Sequence, residues 1–288
     1  HPILPGSTTE LNMNFKSQIP VQIRRSGRDN KEGISYSMAQ WYPKIAAYDT
    51  RGWHAEPYVA REFYAPWGQF DVSITIDKNY VVAASGILEN NNAIGYGYQD
   101  DPLIDQKHKG RKLTWHFVNE KAHDFMWAAD PDYIHQIAQV PNGPKLHFFY
   151  QQGQATRHWE KLPEIIIAAF QYMNTHFGAY PFSDFYVIQG GDGGMEYPMS
   201  TLITGNRDLS SLVGVTVHEA LHSWYQGVLA TNESYYHWMD EGYTSYASSL
   251  TMSHLMGTDN KRSHAKNYSN YFSLVSSGKE EPMSTHAD

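Results

Sequence analysis

The sequence predicts an α+β protein of two domains, with strands in residues 1–152 and mainly helices in residues 153–288. Its 288 residues favour two domains, since a domain typically has roughly 100 to 200 residues. Apolar residues recur with a period of two in the first part and at helical spacing in the second. The pattern changes at Gln-Gln-Gly, residues 151–153, where we place the boundary.

The first part is predicted to be an all-β domain. Residues 70–77 alternate apolar and polar side chains, which is typical of a half-buried strand. Residues 80–83 and 113–117 indicate further strands, and another follows the Pro-Asn-Gly-Pro turn at 146–150.

The second part is predicted to contain three helices. Apolar residues recur at helical spacing from about 156 to 177, from 209 to about 229, and from about 238 to 250. Two short strands, 185–188 and 199–204, lie between the first two helices.

Composition excludes several classes of protein. With 22 basic and 30 acidic residues, the net charge of −8 has the wrong sign for a nucleic-acid binder. The 41% of hydrophobic residues excludes a disordered chain, and no apolar run is long enough to predict a membrane span. Without cysteine, any metal must bind to histidine and carboxylate side chains. The lack of cysteine is compatible with a periplasmic or secreted bacterial protein, which we favour over a cytoplasmic one.

The second predicted helix carries His-Glu-Ala-Leu-His at residues 218–222. Two histidines four residues apart share one helical face and can reach one zinc ion, with Glu219 beside the zinc-bound water. From a composition of 15 His and 14 Glu, such a pentapeptide arises by chance about 4% of the time. The motif alone is suggestive, and its alternative is a solvated helix face.

A third ligand is predicted at Glu241, with 18 residues between it and His222. Requiring glutamate at one set position lowers the chance of coincidence to roughly 0.2%. Asp240 and His237 are the alternative third ligands.

These motifs resemble the gluzincin aminopeptidases, a family that includes aminopeptidase N and leukotriene hydrolase. The resemblance rests on residues 218–222, on Glu241, and on Gly-Gly-Met-Glu-Tyr at residues 193–197. It extends to residues 177–181 and 238–246, covers about 153–255 well, and covers 35–150 more loosely.

The resemblance implies a saddle- or sandwich-like N-terminal β domain followed by a thermolysin-like zinc peptidase domain. It implies one Zn²⁺ per chain, held by His218, His222 and Glu241, and a water attack on the peptide with Glu219 as general base. It also implies a substrate with a free N-terminus, whose α-amine binds Glu196. Other substrate-binding residues are predicted to be Gly193, Gly194, Met195 and Gln40.

The sequence departs from the family pattern at three places. Tyr197-Pro198 follows Glu196 where the family motif usually ends in asparagine. Asp240 and Ser248 replace the asparagine and the acidic residue that many relatives have near the third ligand. The family's transition-state tyrosine would lie beyond Asp288, so we expect residues 153–288 to be the first part of their domain, and the β domain to lack its first strands.

Two alternative functions stay open. One is a thermolysin-type endopeptidase, in which the third ligand normally stands one residue further from the second histidine. The other is a binding or scaffold relative with weak or no activity.

Overall fold

A computed structural model describes residues 3–55, 64–101, 108–258 and 264–285. The described residues form a mixed structure of several sheets and helices, which confirms the predicted mixture. Among them, no helix combines the length and apolar character that crossing a membrane requires.

The strands are β1 (Ser26–Arg28), β2 (Tyr36–Met38), β3 (Ala47–Asp49), β4 (Gly52–His54), β5 (Gly68–Asp77), β6 (Val81–Ala84), β7 (Ile87–Leu88), β8 (Lys112–Ala122), β9 (Trp127–Asp130), β10 (Tyr133–Gln139), β11 (Lys145–Gln151), β12 (Asp184–Gly190), β13 (Gly194–Tyr197) and β14 (Ser200–Thr204). The helices are α1 (Asn91–Ile94), α2 (Leu162–Phe177), α3 (Leu209–Leu221), α4 (Gln226–Leu229), α5 (Glu233–Leu255) and α6 (Ala265–Ser276).

In the part of the chain that the structure describes, the strands before residue 131 form three antiparallel sheets. Their strand orders are β1-β2-β9-β6, β5-β8-β7 and the hairpin β3-β4. Strand β5 contains the alternating segment that the sequence predicts, and it pairs with β8 over most of its length. The side chains of Trp115 and Phe117 on β8 are fully buried in the core beneath these sheets.

A five-stranded sheet lies between two hydrophobic cores. Its order is β10-β11-β12-β14-β13, with β11, β12 and β14 parallel and both edge strands antiparallel. On β12, Phe185 and Val187 belong to the core shared with the helices, whereas Tyr186 and Ile188 belong to the core of the N-terminal sheets. Because successive side chains of a strand point to opposite faces, one strand joins both cores.

The five-stranded sheet includes two strands that precede the predicted boundary at residue 152. Strands β10 and β11 lie before it, yet β11 is the parallel partner of β12. These strands therefore lie with the elements of the second part. The division into two domains stays a prediction.

Two predicted helices have different ends in the structure. The helix predicted to reach about residue 229 ends at Leu221, because Tyr225 leaves the helical conformation (φ −100°, ψ −87°) and short helix α4 follows. The helix predicted from about 238 to 250 lies within α5, which extends further in both directions but is kinked at Tyr236, where the backbone is not helical (φ −126°, ψ 38°). Helix α5 begins at Glu233, where the Asn232 side chain accepts a hydrogen bond from the backbone N–H of Tyr235.

Candidate metal and catalytic site

Helix α3 carries the two histidines of the predicted zinc motif. The helix is capped by Asp208, whose carboxylate accepts a hydrogen bond from the backbone N–H of Ser211 at 2.8 Å. His222 follows the last residue of α3 but keeps helical dihedral angles (φ −54°, ψ −28°), so it lies one turn beyond His218. The Nε2 atoms of the two imidazoles are 3.3 Å apart.

Helix α5 packs against α3 and brings Glu241 to the same point. Its Oε2 atom lies 3.2 Å from His218 Nε2 and 3.9 Å from His222 Nε2. Ligand atoms of a tetrahedral zinc ion, with bonds of about 2.0 to 2.2 Å, are separated by roughly 3.4 Å. The three side chains therefore fit zinc with only small adjustments.

The two alternative third ligands have other surroundings. Asp240 is fully buried, and its Oδ1 atom accepts a hydrogen bond from His222 Nδ1 at 2.6 Å, on the side of the ring opposite Nε2. Among the described residues, the groupings able to hold a metal do not include His237. Of the three candidates, Glu241 is the one whose carboxylate meets both Nε2 atoms.

Four carboxyl groups, those of Glu196, Glu219, Asp240 and Glu241, surround the two imidazoles of the site. Burial lowers the pKa of His222, but the charges of Glu196, Asp240 and Glu219 outweigh burial and leave this pKa well above its usual value. A hydrogen bond from His218 lowers the pKa of Glu241 to about 2. Surplus carboxylates around two imidazoles attract a cation, and a metal ion that binds here displaces a proton.

Glu219 is buried beside the side chains of His218, His222 and Glu241. Burial raises its pKa to about 7, although the charge of His222 and a hydrogen bond with Glu196 partly oppose this effect. A carboxyl group with such a pKa can both accept and release a proton near neutral pH.

Glu196 lies on β13, at the edge of the five-stranded sheet. Its Oε1 atom is 3.7 Å from His222 Nδ1, and this atom is buried without a hydrogen-bond partner among the described residues. Burial raises the pKa of Glu196 well above its usual value, against the opposing charge of His222. A protonated Glu196 can share its hydrogen with the carboxylate of Glu219.

The other predicted substrate-binding residues lie around this edge strand. Gly193 has a φ of +68°, which glycine adopts without strain, and its carbonyl accepts a hydrogen bond from Thr204 N–H at 2.8 Å. Gly194 and Met195 begin β13, and the Met195 side chain is buried in the N-terminal core.

Gln40 makes no direct hydrogen bond to Glu196 in the described structure, and Asp124 lies between them. Its side-chain amide donates a hydrogen bond to Asp124 Oδ2 at 2.6 Å. Asp124 and Glu196 line the same small cavity, so Gln40 reaches the site through Asp124.

Arg25 contacts the backbone of the edge strand β13, and no sequence pattern predicted this contact. Its guanidinium donates a hydrogen bond to the carbonyl of Gly194 at 3.1 Å, and its charge lowers the pKa of Glu219. No motif surrounds Arg25, and 169 positions separate it from Gly194, so spacing along the chain carried no signal.

No known protein-family profile matches the chain. Over 60 residues it is 50% identical to leucine aminopeptidase 2 of Lodderomyces elongisporus, a match that covers 19% of this chain and 9% of the relative.

Solved structures provide a longer match. An M1 zinc metallopeptidase from Deinococcus radiodurans is similar with a TM-score of 0.54 at 18% identity, covering 75% of this chain and 47% of that one. A mutant form of that enzyme is similar with a TM-score of 0.59 at 16% identity, covering 93% and 56%. The chain thus spans about half the length of these solved relatives. These similarities confirm, at the level of the fold, the resemblance that the motifs predict: the chain has the fold of the M1 zinc metallopeptidases.

Proposed function

We propose that this chain carries the metal-binding and general-base residues of a zinc aminopeptidase. The observation that supports this most strongly is the convergence of His218, His222 and Glu241, whose ligand atoms are 3.2 to 3.9 Å apart, close to the roughly 3.4 Å of a tetrahedral zinc site. The M1 zinc metallopeptidase fold and the local identity to a leucine aminopeptidase favour the same function.

In this proposal His218, His222 and Glu241 hold one Zn²⁺ per chain. When bound, zinc supplies a Lewis acid that acidifies water and polarises the carbonyl of the peptide bond. Glu219 accepts the proton of the attacking water and passes it to the leaving amine. Its burial and its pKa of about 7 suit both steps.

Glu196 is proposed to bind the free α-amine of the peptide. Its buried Oε1 atom, which has no hydrogen-bond partner among the described residues, is an acceptor that an ammonium group would satisfy, and the positive charge of the ammonium would favour the ionised form of Glu196. The backbone of Gly193, Gly194 and Met195 would lie along the substrate, and Gln40 would support the amine site through Asp124.

The finer architecture belongs to the same proposal. The antiparallel sheets before residue 131 would correspond to the N-terminal β domain. The five-stranded sheet with α2, α3 and α5 would correspond to the thermolysin-like domain.

Hydrolysis of an aminoacyl p-nitroanilide, compared with its N-acetylated form, tests the proposal. We expect the zinc-loaded full-length protein to cleave only the free-amine form, and its Glu219→Gln variant to keep zinc but lose turnover. Equal cleavage of both forms would reject amine recognition by Glu196, and cleavage of internal bonds alone would favour an endopeptidase. Zinc binding without any turnover would favour a binding or scaffold protein.

A further inference from the structure

The two imidazoles of the site differ in the hydrogen-bond partner of Nδ1, the ring nitrogen that faces away from the metal position. Nδ1 of His222 donates to Asp240 Oδ1 at 2.6 Å, and both side chains are essentially inaccessible to solvent, at 1% and 0% exposure. Among the described residues, the hydrogen-bond partner of His218 Nδ1 is the hydroxyl of Ser248, at 3.4 Å, and this imidazole is 26% exposed.

These partners have different effects on the imidazoles. An ionised carboxylate can only accept, so the hydrogen of a neutral His222 stays on Nδ1 and the lone pair of Nε2 points towards the metal position. A hydroxyl can donate or accept, so Ser248 does not select one tautomer of His218. At 3.4 Å its hydrogen bond is also at the outer limit of length.

Asp240 is the main partner of His222 Nδ1. The next polar atoms are Thr244 Oγ1 at 3.5 Å and Glu196 Oε1 at 3.7 Å, both too far for a strong hydrogen bond. The second carboxylate oxygen of Asp240 is buried without a hydrogen-bond partner among the described residues. A buried carboxylate with one unsatisfied oxygen is costly, which suggests a functional reason to keep it.

Asp240 also directly precedes Glu241 on α5. One turn of this helix thus presents a metal ligand and the support of another ligand, so any shift of the turn moves both. His218 has no comparable carboxylate support in its contacts among the described residues.

We infer that Asp240 is a positioning residue that fixes the tautomer and orientation of His222, so that the two histidines are held unequally and His222 is the better-fixed ligand. This inference rests on the proposed zinc site. It assigns to Asp240 a role in metal affinity that Ser248 does not share.

Zinc affinity, measured by competition with a chromophoric chelator, tests the inference. We expect Asp240→Asn, which keeps an acceptor but removes the charge, to weaken binding about 10-fold, and Asp240→Ala about 100-fold, as for other carboxylates behind zinc-bound histidines. Ser248→Ala should weaken it by no more than about twofold, because a long hydrogen bond is worth about 0.5 kcal/mol.

The absorption spectrum of the cobalt-substituted protein provides a readout of ligand geometry. Asp240→Ala should change the intensity of the cobalt bands, whereas Ser248→Ala should not. Asp240→Asn has nearly the same shape as the original residue, so it keeps the test valid if the alanine variant does not fold. The inference would be wrong if both Asp240→Asn and Asp240→Ala kept the zinc affinity of the unchanged protein, or if Ser248→Ala lost as much affinity as Asp240→Ala. Neither result would contradict the proposed function. Failure of the unchanged protein to bind zinc would overturn the proposed function as well.

Discussion

Gly194 lies directly against the carboxylate of Glu219. A Cβ atom at position 194 would overlap Glu219 Oε1, and it would also lie 2.6 Å from Cγ2 of Val215. The edge strand that carries the proposed amine-binding residue is therefore in contact with the proposed general base, and this contact requires glycine.

Gly194→Ala should displace the Glu219 side chain and lower turnover about 100-fold, since misplacement of a catalytic group by about 1 Å can have that effect. Hydrolysis of an aminoacyl p-nitroanilide measures this change. Gly214→Ala is the matched control, because Gly214 lies on α3 and a Cβ atom there would meet no atom within 4 Å among the described residues, apart from its chain neighbours and the helix backbone. A Gly194→Ala variant as active as Gly214→Ala would contradict the predicted displacement.

Zinc should stabilise the fold through the three proposed ligands. Free zinc at 100 times its dissociation constant is expected to raise the free energy of unfolding by about 3 kcal/mol, which urea denaturation with and without zinc can measure. His222→Ala should abolish this response. His176→Ala, which changes an exposed histidine on α2, should retain it. An equal response in both variants would exclude His222 as a ligand.

Stability should fall in mild acid because of His123. Burial lowers the pKa of this histidine to about 4, from 6.5, and its Nε2 atom accepts a hydrogen bond from the Gln226 amide at 2.6 Å. Its contribution to stability is present above pH 6.5 and is lost as the pH falls towards 4, because the unfolded chain takes up the proton first. The gap between the two pKa values corresponds to about 3 kcal/mol.

Urea denaturation at pH 7 and pH 4.5 can isolate this contribution. His123→Gln should lose less stability between the two pH values than the unchanged protein. His116→Gln removes a partly exposed histidine and should leave the difference as it was. The same acid sensitivity in all three proteins would reject the role of His123.

The cap of α3 should contribute to stability. Asp208→Ala removes the acceptor for the N–H of Ser211 and should lower the free energy of unfolding by about 1 kcal/mol. Asp208→Asn keeps an acceptor and should lower the free energy of unfolding by much less. Denaturation in urea distinguishes the two variants, and an equal loss in both would indicate that charge rather than capping matters.

Local spacing along the chain was sufficient to predict several elements. The alternation in residues 70–77 predicted β5, and the apolar period after residue 156 predicted α2, although α2 begins only at Leu162. That His218 and His222 face one side follows from the helical repeat, which depends only on neighbouring residues. The ends of α3 and α5 were predicted less well, since they depend on turn conformations such as that of Tyr225.

Contacts between distant parts of the chain could not be obtained in this way. The pairing of β11 with β12, the approach of Arg25 to Gly194, and the hydrogen bond between Asp240 and His222 all depend on how separate elements pack. The periodicity of a segment indicates which of its faces is buried, but not which segment covers that face. The proposed ligands could therefore be named from the sequence, whereas the side chains that contact them were identified only from the packing of the five-stranded sheet, α3 and α5.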